Sequence, residues 1–188
     1  MVELRVEIVR RHFGGVLELR PRRFGDSRGW FSETYSRRVL SEHGVASEFV
    51  QDNQSMSASR WTVRGLHLQV EPHSQGKLIR VLKGSIFDVA VDVRRDSPDY
   101  RRYIGVELSA SEGNQLWIPC GFAHGFCTLE AETEVLYKVT AYYAPSADRS
   151  IVWNDPELNI AWPVDASAAS LSDKDRAAPT LAQFEGRS

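Results

Sequence analysis

The chain has 188 residues, enough for one well-buried core and short for two independent ones, so residues 1–188 are expected to form a single domain. Its 23 Lys and Arg nearly balance 25 Asp and Glu, and a formal charge of -2 excludes any general attraction to nucleic acid or to an anionic membrane. Two cysteines, Cys120 and Cys127, are too few for a disulfide framework, and no stretch is long and apolar enough to span a bilayer.

The opening MVELRVEIVRR alternates charge with short aliphatic runs and lacks the apolar centre and cleavage site of a signal peptide. Together with the low cysteine count, this points to a reducing cytoplasm. From Val16 to Tyr103 the chain reads as short β-rich runs broken by Gly, Pro, Asp and Ser. A modest helix is predicted over SRRVLSEHG, with Ser36 as cap and Gly44 as stop. Strands are predicted at LIRVLKG, SIFDVAVDVR, YIGVELS, NQLWIP and EVLYKVTAYYA, with shorter segments around IVWNDP and NIAWP. A second helix follows Ser172 in DKDRAAPTLAQF, and the final EGRS is expected to fray. Closely spaced strands divided by turn residues argue for an all-β sandwich or barrel over βαβ units.

The segment GNQLWIPCGFAH, Gly113 to His124, has the spacing of the second cupin motif. Pro119 and Gly121 shape a tight turn there, which aims His124 into a barrel mouth. A metal-binding cupin carries two histidines one residue apart in its first motif, because an imidazole cluster holds a transition ion well. This chain reads His67, Leu68, Gln69, and His73 beside Pro72 fits a loop better than a ligand set. The expectation is therefore a pocket with no metal, whose acid and base are side chains.

The strings FGDSRGWFSETY, FVQDNQS, VRGLHLQ, QGKLIRVLKG, DVAVDVRRDSP, LWIPCGFAHGF, LYKVTAYY, IVWNDP and LSDKD follow one another from about Pro21 to Pro179. In that order they resemble the signatures of the dTDP-4-dehydrorhamnose 3,5-epimerase family. The resemblance implies a cupin-type jelly roll with a few short helices, a homodimer, no cofactor, and a dTDP-4-keto-6-deoxyhexose substrate. The hydrogens on carbons 3 and 5 of such a sugar both flank its carbonyl. Each inversion needs a base on one face, a proton donor on the other, and positive charge near the enolate oxygen.

His67 is the candidate base, since imidazole titrates near neutrality, and the resemblance makes it the proton acceptor. By the same resemblance Asp175 steers its ring, Tyr137 is the donor and Lys77 lies close to the enolate. Arg64 is suited to bidentate contact with an oxyanion or phosphate. The nucleotide would meet Phe24, Arg28 and Glu33 across a dimer interface, with Gln51, Asp52, Asn53, His124, Asp148 and Lys174 completing the set and Tyr143 stacking on the base. Leu68 stands where the family usually has an aromatic, and Asp148 where it usually has Glu. Cys120 and Cys127 read as buried small hydrophobes. The alternatives are a single-carbon epimerase, a non-catalytic sugar-nucleotide-binding cupin, and a metal-dependent cupin, which Gln69 disfavours.

Overall fold

The computed structural model describes residues 6–186, so the end of the EGRS segment lies outside the described residues. In chain order the strands are β1 (Val6–Arg11), β2 (Leu17–Pro21), β3 (Arg23–Asp26) and β4 (Gly29–Ser32), then helix α1 (Arg37–Glu42). There follow β5 (Gln51–Ser57), β6 (Val63–Gln69), β7 (Lys77–Lys83), β8 (Ser85–Asp92), β9 (Tyr103–Ser109), β10 (Gln115–Ile118), β11 (Phe122–Thr128), β12 (Thr133–Val139) and β13 (Asp148–Ser150). Helices α2 (Asp173–Arg176) and α3 (Leu181–Glu185) close the chain.

These strands form the expected cupin-like β-sandwich. One sheet has six strands in the order β1-β2-β10-β7-β12-β5; the other has five, β13-β6-β11-β8-β9. All their pairings are antiparallel, and β3 with β4 makes a separate hairpin. Alternation sends Ile79, Val81, Leu116, Ile118 and Val135 inward from the larger sheet, against Ile86, Ala90, Ile104, Leu108, Phe122 and Phe126 from the smaller. This apolar layer fills one part of the sandwich; the polar site lies in another.

Both sheets also bury their outer faces. Helix α1 lays Val39 and Leu40 over Leu17, Leu19, Leu78 and Trp117. Across the molecule, Ile151, Leu158 and Leu181 of the C-terminal segment cover Leu66, Leu68, Val89 and Val91. With the outer side of β6 thus occupied by Leu66 and Leu68, His67 and Gln69 are turned to the interior by the two-residue period of a strand.

Several local expectations are corrected. Ser36 occupies the N-cap of α1 but its side chain makes no capping bond, while Gly44 does take the positive φ of 93° expected of a stop. The C-terminal helix is two short ones, because Pro179 disfavours helical geometry in the residue before it and Thr180 then opens α3 with a capping box to Gln183. IVWNDP and NIAWP are not strands; they pack Ile151 and Trp153 as irregular cover, and β12 ends at Val139, before TAYYA. Glu185 and Gly186 are hydrogen-bonded at the end of α3. Cys127 is buried, but Cys120 lies exposed in the turn before Gly121.

Candidate active site

The polar interior lies between the two sheets. His67 enters from β6 of the smaller sheet, and Lys77 and Tyr137 enter from β7 and β12 of the larger one. These three line two adjoining recesses of about 310 and 240 Å³. The first is completed by Gln51, Asn53, Gln75, Tyr143, Asp148 and Lys174, the second by Ser55, Arg64, His124, Phe126, Ser172 and Asp175. Their combined size suits a ligand larger than a monosaccharide.

Two glycines let the strands close around this space. At Gly65 a Cβ would come within 2.6 Å of the Gly125 Cα, and its φ of 118° is one that side chains rarely adopt. The adjacent strands therefore meet closely, and the register of β6 against β11 shifts between His124 and Phe126.

The Asp175 carboxylate is reached only after the chain has crossed the outer face of the smaller sheet. It then meets His67, with 2.5 Å between Oδ1 and Nε2. Ser172 at the N-cap of α2 donates its hydroxyl to Asp175 Oδ2 at 2.7 Å and accepts the Asp175 amide at 3.1 Å. Burial pushes the Asp175 carboxyl up, but the hydrogen bonds from His67 and Ser172, the His67 charge and the Gly65 amide outweigh it, so the group lies below the usual carboxylate range. An ionised Asp175 accepting at Nε2 leaves the imidazole lone pair on Nδ1.

Burial is the largest influence on Lys77 and lowers it to about 8; Asp88 and Asp148 oppose the shift, while Lys174 adds to it. Burial likewise lowers His124, against the charge and hydrogen bond of Asp88. Tyr137 is raised by burial, which Arg64 partly offsets, so its phenol stays protonated well past neutrality. Arg64 itself donates to Ser57 Oγ and the Met56 carbonyl, both at 3.1 Å. Among the described residues no three His, Cys, Asp or Glu side chains converge as a metal site. Gln69 spends its amide on the backbone of His73, Tyr142 and Ala144, clamping the loop after β12.

Three comparisons place this geometry. The sequence model of the family "dTDP-4-dehydrorhamnose 3,5-epimerase" matches residues 10–183. The chain belongs to the dTDP-4-dehydrorhamnose 3,5-epimerase family. It is 51% identical over 171 residues to the dTDP-4-dehydrorhamnose 3,5-epimerase of Pseudomonas aeruginosa, covering 90% of this chain and 93% of that one. The crystal structure of the Bacillus anthracis enzyme with TDP and PPi bound superposes with a TM-score of 0.91 at 49% identity, covering 94% and 99%. That of the Legionella pneumophila enzyme in complex with dTDP-4-keto-L-rhamnose gives 0.90 at 41%, covering 97% and 96%. Membership makes this chain an isomerase of the 3,5-epimerase type.

Within the family's fold, the structure gathers most of the residues singled out from sequence. His67, Tyr137, Asp175, Lys77, Arg64, His124, Gln51, Asn53, Tyr143, Asp148 and Lys174 all line the two recesses. Asp52 does not: alternation along β5 turns it to the opposite face, where it pairs with Lys138 at 2.8 Å. Phe24, Arg28 and Glu33 also lie away from the recesses, on and just after the β3–β4 hairpin, where Arg28 pairs with Asp26 at 2.6 Å. Sequence reasoning passed over Ser55, Gln75, Phe126 and Ser172, which line the recesses, and Asp88 behind them. Only Ser172 had a usable signal, standing three residues before Asp175 at a helix start.

Proposed function

We propose that this chain, as one catalytic domain, converts dTDP-4-dehydro-6-deoxy-D-glucose to dTDP-4-dehydro-L-rhamnose by inverting carbons 3 and 5 through enolates. The observation that carries this reading is the placement of base and acid on facing sheets: His67 on β6, Tyr137 on β12, with Lys77 beside Tyr137's strand. A planar enolate held between them can lose a proton to one side and gain one from the other, which inverts the carbon.

In this reading His67 Nδ1 takes the proton from carbon 3 or carbon 5. The C–H electron pair moves into the C–C bond and the carbonyl pair onto oxygen. Lys77 stabilises that oxygen as an ammonium, and Asp175 stabilises the imidazolium and fixes its tautomer. Tyr137 then protonates the carbon from the opposite face, its hydroxyl proton being replaced from solvent between the two inversions. His67 returns its own proton to solvent. Because both carbons flank the same carbonyl, a single oxyanion site serves both steps.

The sugar is placed at the wall shared by the two recesses. Arg64 and Lys174 supply cations for the diphosphate, and the exposed Tyr143 at the mouth offers a stacking face for the pyrimidine. The hairpin supports a homodimer: Trp30 and Phe31 are 59% and 65% exposed there, and Phe24, Arg28 and Glu33 lie outside their own recesses, which fits a contribution to a partner's. No described helix is long and apolar enough to cross a membrane. An intracellular site of action is supported by two free cysteines, one of them exposed.

Turnover of dTDP-4-dehydro-6-deoxy-D-glucose in heavy water tests the reading. Deuterium at both carbons with the L-rhamno configuration is the expected outcome. Label at carbon 3 or carbon 5 alone would replace it with single-carbon epimerisation, and no label with tight nucleotide binding would leave only a binding protein.

A further inference from the structure

The mechanism above leaves a buried carboxylate just behind the recess unused. Asp88 lies on β8 and is 0% exposed. Its Oδ1 meets His124 Nε2 at 2.8 Å, and its Oδ2 is buried without a hydrogen-bond partner. A carboxylate so enclosed is unfavourable unless a cation nearby offsets it.

The charges around the recess leave a single cation for that role. Asp148 is matched by Lys174 at 2.5 Å, and Asp175 is held by hydrogen bonds with His67, at the same distance, and from Ser172. Arg64 is directed to neutral groups of Met56 and Ser57 on β5. Lys77, 8% exposed, donates only to the His67 carbonyl at 3.3 Å and makes no ion pair with any described carboxylate. Lys77 thus remains without an ion pair and Asp88 with one oxygen unpartnered, and His124 stands between Asp88 and the recess that both it and Lys77 line.

We propose that Asp88 is a positioning residue which, from behind His124, keeps Lys77 an ammonium and holds the His124 ring with Nε2–H pointing away from substrate. Asp88 touches neither substrate nor reacting atoms. Its setback has a chemical use: a carboxylate in direct contact with Lys77 would occupy the N–H donors an enolate oxygen needs, whereas one placed behind an imidazole contributes its charge and leaves them available. The groups acting on Lys77 are consistent with this. Asp88 on β8 is the largest influence opposing its burial, ahead of Asp148 on β13, with Lys174 on α2 acting the other way. His67 and Arg64 on β6, His124 on β11, Tyr137 on β12, Asp175 on α2 and Tyr143 after β12 are the other titratable groups that line the recesses it enters. The inference rests on the reading of Lys77 as the enolate's cation.

The test is Asp88→Asn, which preserves the shape and an oxygen for His124 Nε2–H while removing the charge. Lysine side-chain NMR of the substrate-free protein, with Lys77 assigned through Lys77→Met, reads the ammonium directly. Its titration midpoint is expected to fall from about 8 by about one pH unit, and the alkaline limb of kcat/KM to move down by the same amount. An unmoved midpoint in folded protein overturns the proposal whatever the activity does. If Lys77→Met turns over normally, the enolate role of Lys77 falls, yet the midpoint in Asp88→Asn still decides the charge pairing. Should the asparagine variant not fold, Asp88→Ser offers a smaller hydroxyl acceptor for the same measurement; failure of both to fold overturns the positioning role in favour of a purely structural one.

Discussion

Two histidine–carboxylate pairs stand on neighbouring strands, His67 with Asp175 and His124 with Asp88, and the two imidazoles face each other in the register of β6 and β11. Their surroundings differ. The His67 side chain is 32% exposed toward the recess, and its carboxylate is further held by Ser172. His124 is buried, and one oxygen of its carboxylate has no hydrogen-bond partner. The same pairing therefore supports two kinds of chemistry: an accessible ring that exchanges protons, and a buried one, lowered by desolvation, that stays neutral.

The sharpest way to break this contrast is to remove the accessible ring. His67→Ala is expected to lower kcat by about 10² to 10⁴ with dTDP affinity, read by calorimetry, changed little. Near-normal turnover would mean that the wrong imidazole had been assigned as base. Asp175→Asn comes next: it keeps the size of the partner but removes its charge and offers His67 a donor, so a loss of about 10² or more in kcat is expected at unchanged nucleotide affinity.

Tyr137→Phe probes the facing wall. Inversion should slow by about 10², while deuterium exchange at the carbon adjoining the carbonyl slows less, because proton removal does not need the far-side donor. Equal losses would take Tyr137 out of that role. For pH, the reactive form of Lys77 is the cation, and its lowered value means that the cation is lost as pH rises through about 8. The alkaline limb of kcat/KM is accordingly expected near that pH, with Lys77→Arg moving it upward in whatever activity remains. The smallest effect concerns the accessible pair's support. Ser172→Ala removes an N-cap and one bond to Asp175 and should reduce stability by about 1 kcal/mol in a denaturant melt, and Ser172→Thr should restore most of it.

Much of this was legible before any coordinates. LIRVLKG, SIFDVAVDVR and YIGVELS carry enough β-branched residues and period-two patterning to become β7, β8 and β9 with small errors at the ends. The His67–Asp175 pair was readable because its strings match a family and because a base needs a steering carboxylate. Asp88 was not: within SIFDVAVDVR an aspartate looks like one more polar position, and nothing in the spacing says that both faces of that strand are covered. Asp52 lies off the recesses for the opposite reason, since matching a string carried over three consecutive residues where a strand can turn only alternate ones inward. The exposure of Cys120 and the division of the last helix at Pro179 depend on turn geometry that short windows do not resolve.

The bond between His67 and Asp175 joins positions 108 residues apart, with the intervening chain running through seven strands of both sheets. Such a closure is non-local in the extreme, so it belongs late in folding, after the sheets exist to receive α2. During refolding from denaturant, catalytic recovery should therefore trail the return of the far-ultraviolet β signal, and a ribosome-bound chain should hold a nearly finished sandwich that is still inert.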